Sequence, residues 1–254
     1  MSNQIIAVIN QKGGVGKTTT TVNLAAYLAK IGKKILIVDF DPQGNVTSGI
    51  GIAKDKLELT VYDVLLDPSK LSQSTKTTSI KNMSILPATP ALAAVEVELV
   101  DMANRESKLK AALHSAQYDY ILIDCPPSLG LLSINALVAA NSVLIPVQAE
   151  YYALEGLSQL LSVIQRVREG FNPGIELLGV VLTMYDKRNA LAEQVRQELE
   201  KHFSDKLFST VIPRNVRLAE APGFGKTILE HDKWSKGARA YKQLSNEVIK
   251  RAKN

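Results

Sequence analysis

The apolar run Ile5-Ile6-Ala7-Val8-Ile9 leads into Gln11-Lys12-Gly13-Gly14-Val15-Gly16-Lys17-Thr18-Thr19 and then into a segment with helical spacing. A buried strand, a glycine loop and a helix in that order leave few folds open. Glycines let the loop curl until successive backbone N–H groups face inward, and the helix start adds its positive end. Lys17 then reaches terminal phosphates, and the Thr18 hydroxyl is suited to ligate Mg2+. Gly13, Gly14, Val15, Gly16, Lys17, Thr18 and Thr19 are therefore expected to cradle a phosphate chain.

Four more short apolar runs follow: Ile35–Val38, Ile121–Ile123, Val143–Val147 and Leu177–Leu182. Such Ile- and Val-rich runs read as strands covered on both faces, the signature of a parallel sheet. Helical spacing fills the gaps at Thr18–Ile31, Ala153–Arg168 and Ala190–His202. Strand and helix alternation predicts an α/β fold with a doubly wound, mostly parallel sheet and helices on both faces. The polar stretch from Lys54 to Asn82 reads as an excursion from this plan. Without a repeat or a linker, residues 1–254 are expected to form one domain.

The single cysteine, Cys125, cannot close an internal disulfide, so a reducing cytoplasm is expected. No run of about 18 uncharged apolar residues is present to span a bilayer, and the N-terminus lacks a signal-peptide pattern. The net charge of +5 is confined to one end. Lys226 to Asn254 carries eight basic residues against three acidic ones, and the rest of the chain balances. A basic surplus at one end predicts contact with a polyanion.

Where the general phosphate-loop pattern has Gly six residues before the loop lysine, this chain has Gln11, with a second lysine, Lys12, beside it. At this point the sequence resembles the deviant Walker A ATPases, the class of ParA/Soj partitioning proteins, MinD and nitrogenase iron protein. The resemblance implies that Lys12 crosses a dimer interface to ATP held by the other subunit, so that ATP drives homodimer formation. A cation from each side would offset the charge of two facing nucleotides.

Further segments resemble the same class. Ile35-Leu36-Ile37-Val38-Asp39-Phe40-Asp41-Pro42-Gln43-Gly44-Asn45 looks like its switch I, and the resemblance assigns Asp41 to the attacking water, with Asp39 supporting the strand end. Ile121-Leu122-Ile123-Asp124-Cys125-Pro126-Pro127-Ser128 resembles Walker B followed by switch II, which places Asp124 in the magnesium shell. Lys12, Lys17, Asp41 and Asp124 are thus the expected catalytic set, and Thr18, Asp41 and Asp124 the expected metal set. Gln148–Leu157 and Ile212–Pro222 look specifically like the ParA/Soj branch. There the turn of Pro213, Arg214 and Asn215 covers the adenine, with Pro213 packing and Asn215 reading ring edges.

Within the class, one cysteine argues against cluster-carrying branches, which need several thiolates. A metabolite kinase would keep the ordinary loop glycine and need an acceptor site, and none is evident. A MinD-like membrane-surface switch, the alternative reading, needs a C-terminal amphipathic helix free to enter a bilayer. Placing Ser235–Lys253 at 100° per residue gathers Lys236, Arg239, Lys242, Lys250 and Lys253 on one side. Tyr241, Leu244, Val248, Ile249 and Ala252 fall opposite, without Trp or Phe, and are expected to pack on the sheet. That arrangement favours nonspecific double-stranded DNA. Lys187, Arg188, Arg214 and Arg217, in turns after strands, are further candidates. No helix-turn-helix precedes Ile5, so operator recognition is not expected. The expected protein is a cytoplasmic, nucleoid-associated ATP hydrolase, slow until stimulated by a ParB-type partner, acting in chromosome or plasmid partitioning.

Overall fold

The computed structural model describes residues 3–150 and 153–252, with 153–155 as backbone only. Seven strands form one sheet: β1 (Gln4–Val8), β2 (Ile35–Asp39), β3 (Lys76–Thr77), β4 (Met83–Leu86), β5 (Tyr120–Asp124), β6 (Ser142–Gln148) and β7 (Glu176–Thr183). Their spatial order is β3-β4-β2-β5-β1-β6-β7, and every pairing is parallel except the short β3–β4 edge. The long helices are α1 (Lys17–Lys30), α7 (Leu131–Ala139), α8 (Ala153–Gly170), α9 (Ala190–Phe203) and α12 (Lys236–Arg251). Shorter ones are α2 (Asn45–Gly49), α3 (Val61–Leu66), α4 (Leu71–Ser74), α5 (Val95–Glu98), α6 (Lys108–Leu113), α10 (Val216–Glu220) and α11 (Ile228–His231).

The strands are apolar on both faces because helices cover both. Ile6, Val8, Ile35, Ile37 and Leu122 share a core with α1 and α12. Their neighbours Ala7, Ile9, Leu36, Val38 and Ile123 share another with α3, α6, α7, α8 and α9. The period of two along each strand sorts the residues between these layers. From β1 the chain crosses to β2 on one side and later returns to β6 on the other. The crevice beyond the carboxyl end of β1 is therefore the switch point where ligands bind in open α/β sheets.

The helical boundaries expected from spacing are met within a residue or two. Two strands escaped the sequence reading. Met83-Ser84-Ile85-Leu86 is short and interrupted by Ser84, and Lys76-Thr77 lies inside the polar excursion, so neither shows an apolar run. The apolar side of α12 is also placed differently than expected: it lies against α1, where the Tyr241 hydroxyl and Thr20 Oγ1 are 3.2 Å apart. Its far end is stapled by Arg251, whose guanidinium donates to the carbonyls of Leu178 (3.2 Å), Lys206 (3.1 Å) and Leu207 (2.7 Å) and stacks on Phe208.

Gly179 makes room for that staple. Its φ is +156°, and a Cβ there would stand 2.5 Å from Lys206 O and 2.6 Å from Arg251 Nη1. Gly179→Ala is expected to destabilise the chain by about 2–3 kcal/mol in chemical denaturation, because backbone and a stacked guanidinium must both shift.

Candidate functional site

Each part of the site lies at the carboxyl end of a central strand. β1 runs through Asn10 into the glycine loop, where Gly14 and Gly16 adopt φ of +75° and +88°. Gly16 is also the N-cap of α1, and no side chain caps that helix. Its first-turn N–H groups are left for an anion. The loop is held from both sides. Thr183, at the end of β7, donates its hydroxyl to Val15 O at 2.8 Å. Asn10, only 6% exposed, donates to Pro146 O at 2.7 Å and accepts Lys12 N–H at 3.0 Å.

Lys17 is 7% exposed, and its ammonium donates to Lys12 O at 3.1 Å. Burial pushes its pKa below the ordinary lysine value, opposed chiefly by the carboxylate of Asp124. The Lys12 ammonium pairs with Glu150, which also accepts from the Gln148 amide. The Lys12–Glu150 pair is half-exposed, and pairs of that kind contribute little. It holds Lys12 over its own subunit without anchoring it.

The acids converge from β2 and β5. Asp39 and Asp124 face each other in register, both fully buried. Asp124 accepts the Thr18 hydroxyl at 2.7 Å and the Thr21 hydroxyl at 3.1 Å. Asp39 Oδ2 accepts both the N–H (2.8 Å) and the hydroxyl (2.7 Å) of Thr47, while Oδ1 has no partner. Burial, reinforced by neighbouring carboxylates, pushes Asp124 up to about 8 and Asp39 up to about 6. Asp41, 7% exposed, accepts Gln43 N–H at 2.9 Å and faces the cradle across a cavity of about 680 Å3 shared with Gly13, Gly14, Lys17, Thr18 and Thr19.

This donor set fits a divalent cation. Crowded buried carboxylates and an orphaned oxygen mark excess negative charge that a cation would relieve. Among the described residues no three His, Cys, Asp or Glu side chains form a metal site by themselves. Thr18, Asp41 and Asp124 would thus hold Mg2+ jointly with phosphate oxygens and water, the usual sharing for that ion.

A second cavity of about 340 Å3 adjoins the loop, lined by Gly16, Thr19, Met184, Pro213, Asn215 and Tyr241. Met184 takes φ of +50°, an uncommon backbone for a side chain of its size and one that marks functional sites. Asn215 Oδ1 accepts Leu218 N–H at 3.3 Å and caps α10, so it anchors the turn in addition to its expected part at the base.

The basic candidates separate into groups. Lys187, Arg188, Arg214 and Lys236 line one groove of about 560 Å3, and Arg239 and Lys242 continue from it as exposed side chains along α12. Lys250 is also exposed but lies about 21 Å along the helix from Lys236; Lys253 lies outside the described residues. Arg188 is forked onto Asp186, and Arg217 pairs with Glu220 and approaches Asp232. These two therefore meet a polyanion with their charge partly answered.

Sequence reasoning missed Asn10, Glu150, Thr21 and Met184. Thr21 was within reach, since it lies three residues beyond Thr18 on one helix face. The other three act through the fold: Asn10 meets Pro146 and Lys12 meets Glu150 across more than 130 residues.

With this site in view, the chain defines a phosphate-loop nucleotide-binding protein of the deviant Walker A class. The sequence profile of the AAA domain matches residues 3–177. The sporulation initiation inhibitor protein Soj of Bacillus subtilis is 56% identical over 247 residues, 96% of this chain and 98% of that protein. The chromosome-partitioning ATPase Soj of Thermus thermophilus is 53% identical, over 97% and 95% of the two chains. A crystal structure of cobyrinic acid a,c-diamide synthase from Mycobacterium smegmatis with bound ADP and magnesium superposes with a TM-score of 0.88 at 36% identity, covering 100% and 96%. The chain belongs to the ParA/Soj family of partitioning ATPases.

Two expectations follow from the geometry. Asp39 and Asp124 hold their protons above the ordinary carboxylate value of 3.8. Between about pH 4 and pH 8 these two groups thus bind more protons in the folded chain than in the unfolded one, and their contribution to stability falls as pH rises through that window. Asp124→Asn should flatten the upper part of the fall in ligand-free thermal melts. An unchanged slope would contradict the assigned burial effect. Asn10→Ala, which strands Lys12 N–H and Pro146 O, should cost about 1–3 kcal/mol in denaturation and weaken nucleotide binding in calorimetry.

Proposed function

We propose that this chain is an ATPase that closes into a homodimer around Mg2+ and ATP, coats double-stranded DNA nonspecifically while closed, and leaves it on hydrolysis. Its cargo is a chromosome or plasmid, and a ParB-type partner stimulates turnover. The observation that carries the reading is the single cavity on which the loop lysine Lys17, Thr18 and Asp41 converge, with Asp124 buried directly behind it and accepting the Thr18 hydroxyl.

The cradle N–H groups and Lys17 bind the phosphates, and Lys17 must leave Lys12 O to do so. Magnesium in this setting neutralises charge on the phosphate oxygens. Asp41 lies on the open side of the same cavity, where a water attacking the terminal phosphate is to be oriented, and phosphoryl transfer depends mainly on such positioning. The neighbouring cavity under Pro213 and Asn215 has an apolar lining with few polar groups, which suits a purine ring. Bound ADP and magnesium in the Mycobacterium structure support the same assignment.

Lys12 directly precedes Gly13 of the cavity lining and is released by breaking one half-exposed ion pair, which would let it reach a second subunit's nucleotide. The groove of Lys187, Arg188, Arg214 and Lys236 supplies cations to a polyanion. The apolar side of α12 is engaged with α1, and no described helix is long and apolar enough to cross a membrane. The engagement of the apolar side of α12 with α1 favours DNA over a MinD-like attachment.

The test combines three variants. Lys17→Ala should weaken ATP binding about a hundredfold in calorimetry. Lys12→Ala should bind ATP yet remain monomeric in light scattering. Asp41→Ala should bind ATP, dimerise and stay on DNA in cosedimentation while turnover falls about a hundredfold or more. Normal ATP-dependent dimerisation of Lys12→Ala would overturn the cross-subunit role.

A further inference from the structure

Trp234 is the chain's single tryptophan, and it is 78% exposed. Its backbone is pinned. Trp234 N–H donates to Asp232 Oδ1 at 3.1 Å, and Ser235 N–H donates to Asp232 O at 3.2 Å. The Ser235 hydroxyl donates to that same carbonyl at 2.9 Å and accepts Ala238 N–H at 3.1 Å, which caps α12. The exposed indole is therefore carried on a short turn tied to the helix at one end and to Asp232 at the other.

Apart from Asp232, which is taken up in the turn, the charged side chains that flank it in sequence are lysines. Lys233 Nζ stands 5.3 Å from the ring centroid, within cation–π distance. Lys236, two residues beyond Trp234, lines the basic groove with Lys187, Arg188 and Arg214 and begins the exposed row that Arg239 and Lys242 continue. A large exposed ring carried on a tied-down turn beside cations presents an apolar plane whose backbone has little ordering left to lose on binding. Its complement has flat apolar edges flanked by closely spaced anions.

We infer that Trp234 and Lys233 extend the basic face of α12 into a contact with duplex DNA. The indole packs against sugar and base edges in the minor groove while the lysines meet the flanking phosphates. The inference rests on the DNA-binding reading above and adds an apolar component to it. Apolar side chains placed at minor-groove base steps act in this manner without reading sequence. Such a contact releases no counterion, so it strengthens binding equally at all salt concentrations, whereas each phosphate contact adds about 0.9 to the salt slope.

The single tryptophan serves as its own probe. Titrating the full chain, with Mg2+ and ATP, by a fluorescein-labelled duplex should quench the tryptophan emission in step with the rise in anisotropy. Trp234→Ala should weaken duplex binding about tenfold at fixed salt, with the slope of log affinity against log salt unchanged and the melting temperature retained. Lys236→Ala should instead lower the slope by about 0.9. Duplex binding with unmoved emission and full affinity in Trp234→Ala overturns the inference while leaving the DNA reading standing. Failure of any duplex to raise the anisotropy overturns both. An emission change with phosphatidylglycerol vesicles but none with duplex assigns the turn to a membrane surface and likewise overturns it.

Discussion

Two hydroxyls from one turn of α1, those of Thr18 and Thr21, donate to the buried carboxylate of Asp124. This bond pair fixes the spacing of the whole site, because α1 carries the phosphate cradle at its start and β5 carries the acid at its end. A carboxylate with no exposed surface is costly unless it is hydrogen-bonded or meets a cation. Here the hydroxyls answer part of that cost, and Asp39, in register on the next strand, raises it again. Buried negative charge is thus gathered at the point where a divalent ion and phosphates would enter.

The cradle, the acids and the central strands were legible in the sequence because each is written locally. Glycines in the loop answer to backbone angles, Lys17 and Thr18 follow at fixed offsets, and Asp39, Asp41 and Asp124 stand where apolar runs stop. The edge was not legible. β4 offers four residues with a serine among them, and β3 only two, so their identity as strands comes from pairing, β4 on β2 and β3 on β4. The clips on Lys12 were also hidden, since Asn10 and Glu150 act through partners brought close only once β1 and β6 lie side by side. The basic residues were readable as a stripe, but only the fold separates Lys236, which joins the groove, from Lys250, at the distant end.

The helix that carries the stripe and the helix that carries the cradle are also joined. Thr20 of α1 and Tyr241 of α12 meet through their hydroxyls, and Tyr241 lines the cavity assigned to the base. Burial pushes the phenol well above its ordinary value, so the contact stays neutral under all ordinary conditions. One side of α12 therefore forms part of the nucleotide site's wall, while the opposite side is the exposed row of lysines and arginine.

The Arg251 staple at the other end of α12 completes this attachment. A helix fastened at its middle by Tyr241 and at its end by Arg251 presents its outer face to a polyanion in one orientation. Grip can then be adjusted only by counting faces. On the proposed reading, one copy alone would hold weakly, and two copies clasped together would multiply their holds, since the second attachment is made at the high effective concentration set by the first. Rigidity of this one helix makes valence the natural control variable of the system.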